Sequence, residues 1–150
     1  PGFGDLGLGR RTAQYTVSLH RLAGGNYPSG SRLVTALPSP SGSAVRVRSF
    51  PLVSSANIER IDRVRLAGGG FGLRAMLDTH GRYVWMQVLA EHGGEELAVA
   101  VDGSYRYGFR VPRRGARPDV ILMPGPWEPR EAAAIAEHSR DNYDILQNGK

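Results

Sequence analysis

Apolar and polar residues alternate along Ala44–Phe50, placing Val45, Val47 and Ser49 on one face and Arg46, Arg48 and Phe50 on the other. That period of two marks a half-buried strand. The same alternation runs through Thr12–Leu22, where Tyr15, Val17 and Leu19 share a face. It returns in Ser104–Val111, with Tyr105, Tyr107 and Phe109 opposite Arg106 and Arg110. Ile61–Leu66 and Phe71–Leu77, joined through Gly68-Gly69-Gly70, read as a hairpin. Ser31–Leu37 and Asp119–Met123 add two short strands. Glu96–Val101 lacks polar alternation from Leu97 onward, so a strand covered on both faces is expected there.

Between these strands the period changes. Val84, Trp85, Val88 and Leu89 form one apolar stripe within a helix predicted at about 79–92. Asp78 is its N-cap, because a short acceptor there can satisfy free amides of the first turn. Gly93-Gly94 supplies the stop. A second helix is predicted at about 129–146, opening on Pro129 and carrying Ala132, Ile135, Ala136, Ser139, Tyr143 and Leu146 on one stripe. Ser54 or Ser55 caps a short helical turn around Ala56–Arg60, and Asp102-Gly103 is a two-residue hairpin turn. The order predicts an α+β fold, mostly antiparallel strands with two main helices packed on one face.

A chain of 150 residues with 41% hydrophobic positions is expected to form one globular domain. The glycine-dense segment Pro1–Arg10 reads as a flexible tether, leaving 11–150 as a single domain. Pro1 in place of an initiator Met leads us to expect a removed leader and a lipid tether upstream. The lack of cysteine excludes disulfides, Cys-based zinc sites and thiol catalysis. Residues 1–127 hold 16 basic and 9 acidic side chains, a body able to attract nucleic acid, anionic lipid or acidic polypeptide. All but one of the 19 basic residues are Arg, which fits either GC-rich coding or a basic surface with a role.

No catalytic constellation can be assembled. His20, His80, His92 and His138 lack metal-ligand spacing, and Glu137, His138 and Asp141 near a helix end read as solvated. Ser54 and Ser55 lack a nucleophile elbow. Gly2, Gly4 and Gly7 have the spacing of a phosphate loop without the strand and helix that would give it meaning. No enzyme activity, metal or cofactor is therefore expected. Arginines beside Tyr105, Tyr107 and Phe109 have the composition of an RNA-stacking sheet. Alternation separates rings from guanidinium groups, however, so a basic ferredoxin-like nucleic-acid-binding domain ranks second.

Four segments carry a family likeness: P-L-V-S-S-A-N-I-E-R-I (Pro51–Ile61), F-G-L-R-A-M-L-D-T-H-G (Phe71–Gly81), G-G-E-E-L-A-V-A-V-D-G (Gly93–Gly103) and W-E-P-R-E-A-A-A-I-A (Trp127–Ala136). In this order they resemble the first periplasmic domain of the SecD/SecDF protein-export subunit. The likeness is to its head subdomain and to small standalone extracytoplasmic proteins that share it. It covers about 44–136. In that family the hairpin usually leads into small, Pro-containing sequence, whereas here Y-R-Y-G-F follows. The resemblance implies a ferredoxin-like α+β domain, extracytoplasmic and noncatalytic, that binds or scaffolds a polypeptide or a partner membrane protein. An exposed sheet edge or the groove beside the 79–92 helix would serve. Arg46, Arg48, Arg106, Arg110, Tyr105, Tyr107 and Met86 are the candidate contact residues, while Trp85 is expected in the core.

Overall fold

Burial on both faces of one strand organises this molecule. A computed structural model describes residues 11–28 and 30–148, so the tether expected at 1–10 lies outside the described residues. The strands are β1 (Val17–Arg21), β2 (Val34–Pro38), β3 (Ala44–Arg48), β4 (Val53–Ser54), β5 (Ile58–Arg65), β6 (Phe71–Leu77), β7 (Glu96–Val101), β8 (Ser104–Arg110) and β9 (Val120–Met123). The helices are α1 (Thr79–Glu91) and α2 (Pro129–Asn148), with a 3-10 turn at Ser55–Asn57. Every strand pair is antiparallel, and the architecture is α+β.

The strands divide among three sheets rather than forming one: β4-β1-β7-β8, β9-β6-β5 and the ribbon β2-β3. The reason lies in β7. Leu97, Val99 and Val101 enter the main core beside Leu73, Leu77, Ile121, Trp85 and Ile135. Ala98 and Ala100, on the reverse face by alternation, are covered by Leu37 and Val47 of the ribbon. A strand apolar on both sides needs two covers, and a single sheet with helices on one face supplies only one.

Several boundaries shift for local reasons. β1 begins at Val17 rather than Thr12, because Tyr15 takes a left-handed φ of 57°. The Asp102 carboxylate offsets that conformation by accepting the Tyr15 and Thr16 amides at 3.1 and 2.9 Å. Ser54 caps the 3-10 turn, and the Asn57 side chain accepts the Ser54 amide in return at 3.3 Å. The chain then extends at Ile58, so the helical turn expected to reach Arg60 is confined to Ser55–Asn57.

Asp78 caps α1 as expected, accepting the Gly81 amide at 2.8 Å. Gly81 is where α1 touches the 3-10 turn: a Cβ there would stand 2.9 Å from the Asn57 carbonyl oxygen. Trp85 and Val88 fix α1 to the core. Further along the chain, α2 buries Ala132 and Ile135 in its first half and then switches to polar contacts. Ser139 Oγ accepts the Ile61 amide of β5 at 2.9 Å while donating to the Ala136 carbonyl at 2.8 Å. Buried Asn142 accepts the Gln14 amide at 3.0 Å and donates to its carbonyl at 2.6 Å. Gln147 Nε2 donates to the Ala56 carbonyl.

Candidate functional site

A bulge decides where the aromatic candidates point. Ala100 pairs with Tyr105 and Val99 with Tyr107, so Arg106 is an extra residue in β8. The alternation expected for Tyr105, Tyr107 and Phe109 is therefore broken. Tyr107 and Phe109 enter the main core, whereas Tyr105 packs on the ribbon cluster at Leu37 and Val47. Tyr107 meets the edge of Trp127 at 5.4 Å, and burial raises its hydroxyl pKa well above the ordinary tyrosine value.

The arginine candidates do not form one patch. Arg106 is gripped by both Glu131 oxygens, at 2.7 and 2.8 Å, which joins β8 to the first turn of α2 and raises the Arg106 pKa. Arg110 donates to the Gly94 carbonyl at 2.6 Å and reaches Glu96 at 3.4 Å. Arg46 and Arg48 do share the exposed face of β3, and Arg48 touches the Tyr27 hydroxyl at 3.4 Å. Met86 is half-exposed on α1 beside Tyr83, remote in sequence from all of these.

Titratable groups elsewhere are engaged in holding the fold. The Tyr143 hydroxyl donates to Asp78 at 2.8 Å, which pushes its pKa up to about 12. Glu95 lies below the usual carboxylate range, chiefly because Arg21 donates to it, with His92 on its other side at 3.0 Å. Buried His20 joins β1 to the ribbon through the Arg48 carbonyl and Ser18 Oγ, at 2.8 and 2.9 Å. Among the described residues no three His, Cys, Asp or Glu side chains cluster as metal ligands.

Among several depressions formed by the described residues, the one with buried apolar residues beneath it is a groove beside α1. It has a volume of about 280 Å3, with buried Trp85 and Phe109 at its base and the β9 residues Val120 and Leu122 along one wall. The opposite wall is the 112–117 loop, which contributes Arg114 and Arg117. Trp85 is thus a core residue, as expected, and lies beneath this groove. The location beside the helix was anticipated, but none of the seven candidate residues lines it. Its signal in the sequence was a basic loop running directly into the apolar strand Val120–Met123.

No protein-family model and no curated protein matches the chain. Among the solved structures that share its fold are two of SecDF. One, described as "Structure and function of a membrane component SecDF that enhances protein export", superposes with a TM-score of 0.59 at 16% identity over 85% of this chain. The other, SecDF in a "Super-membrane-facing form", gives 0.60 at 16% identity, again over 85%. The chain spans 63% of the first protein's length and 19% of the second's. Among the described residues no helix is long and apolar enough to cross a membrane.

Proposed function

We propose that this chain is a noncatalytic, extracytoplasmic binding domain of the SecD head kind, contacting an extended polypeptide or a partner membrane protein in protein export. The observation that carries the reading is the fold shared with SecDF over 85% of the chain. The geometry agrees with it in two ways. Arg106, Arg110, Asp78 and Asp102 each make hydrogen bonds that tie elements together, in keeping with structural roles. The sheets also keep open edges, whose unpaired backbone groups are a general means of holding an unfolded chain.

The test is an array of capped peptides drawn from exported proteins, probed with the full chain at two salt concentrations. Micromolar binding that changes little with salt supports the reading. An intact fold that captures no peptide, or that instead binds single-stranded RNA with a steep salt dependence, overturns it.

A further inference from the structure

The Leu77 amide donates to the Asp119 carbonyl at 3.0 Å. In an antiparallel pair only every second residue turns its N–H and C=O toward the partner strand. The register runs from Val120 opposite Met76 to Met123 opposite Leu73. Ile121 and Met123 therefore pair with β6, and Val120 and Leu122 direct both backbone groups away from the sheet. No described residue pairs with those outward groups. Val120 and Leu122 also line the groove over Trp85 and Phe109. At about 280 Å3 the groove falls at or below the roughly 300–1,000 Å3 typical of small-molecule pockets. That volume is ample for one apolar side chain of a larger partner. Between Pro112 and Met123 three arginines accompany a single acid, Asp119, and Arg117 already pairs with it at 2.6 Å.

Resting on the polypeptide-binding reading, we propose that β9 is the docking edge. An extended, acidic polypeptide segment adds to it as a further antiparallel strand. Its backbone bonds to Val120 and Leu122, one apolar side chain drops toward Trp85 and Phe109, and a neighbouring carboxylate meets Arg114. Two competing edges are less suited. On β5 the Ile61 amide is taken by Ser139, and the space beside Arg63 and Arg65 has no buried apolar floor. On β8 the edge is interrupted by the bulge at Arg106, whose guanidinium reaches the Ser104 and Tyr105 carbonyls, both at 3.4 Å.

The probe is a capped nine-residue peptide alternating leucine and threonine, with two glutamates at one end, added to the full chain. Amide exchange at Val120 and Leu122 is expected to slow at least tenfold on saturation. N-methylating the peptide amides that face β9 is expected to weaken binding at least tenfold, a test that leaves the protein unaltered. Leu122→Pro removes an outward donor that β6 does not use and is expected to match that loss. Arg114→Glu is expected to weaken the acidic probe several-fold and spare a version without glutamates. Slowed exchange confined to Arg63 and Arg65, or to Gly108 and Arg110, overturns the β9 assignment while leaving polypeptide binding intact. Failure of this probe and of every arrayed peptide overturns both.

Discussion

The two outer edges of the β9-β6-β5 sheet are treated in opposite ways. Along β5, α2 lies close enough for Ser139 to accept the Ile61 amide. The same helix anchors itself further along through Asn142, Tyr143 and Gln147. Along β9 no described element does this, and a groove lined by the 112–117 loop takes its place. Both strands pair with β6, so the difference does not arise from their place in the ladder. It arises from α2, whose second half replaces apolar packing with polar groups aimed at backbone. A covered edge is a structural device; an edge left open beside an apolar cleft is available for binding.

Removing the floor of the cleft has the largest expected effect. Trp85→Ala empties a site that is 1% exposed and is expected to cost about 3–5 kcal/mol, read by urea denaturation. A cost below 1 kcal/mol would place Trp85 outside the core and separate the cleft from it. Ser139→Ala makes the two edges more alike. It leaves the buried Ile61 amide without its acceptor, at an expected cost of about 1–2 kcal/mol. Exchange at Ile61 is expected to accelerate while Leu122 is unchanged, and Ser139→Thr is expected to restore most of the loss. No change at Ile61 would show that α2 does not seal that edge.

Tyr143→Phe is expected to have the smallest effect, about 0.5 kcal/mol, since solvent reaches this hydrogen bond to Asp78. Its pH dependence has a definite sign. The neutral hydroxyl is favoured in the fold, so the contribution is complete below the ordinary tyrosine pKa of 10.0 and fades as pH rises through about 12. Spectroscopic titration should find an ionisation at about 12 that the variant loses, while buried Tyr107 still ionises late in both proteins. Ionisation near 10 would mean that the α1–α2 link through Asp78 is not formed.

Much of this architecture was legible because local chemistry dictates it. Asp78 had one short acceptor to offer a helix start, and Asp102-Gly103 had the conformational freedom for a tight turn with φ of 49° and 79°. The unbroken apolar run Leu97–Val101 announced a strand with two covers, although not that the second would be the ribbon. Resemblance to the SecD head located the right fold with no close sequence relative to support it. The misreadings were of long-range origin. One bulge residue, Arg106, sent Tyr105 and Tyr107 to different clusters, and no local pattern marks a bulge. Ser139 fell on the predicted stripe of α2, but nothing near it reveals a partner 78 positions away. The residues lining the groove beside α1 were hidden for the same reason: Trp85, Phe109 and Leu122 meet only once β9 has paired with β6.

Native-state amide exchange on the free chain tests the contrast between edges most directly. Ile61, sealed by Ser139, is expected to exchange at the rate of the stable core, and Val120 and Leu122 orders of magnitude faster. Protection of Val120 and Leu122 equal to that of Ile61 would contradict the account, because the β9 edge would then already be occupied by the protein itself.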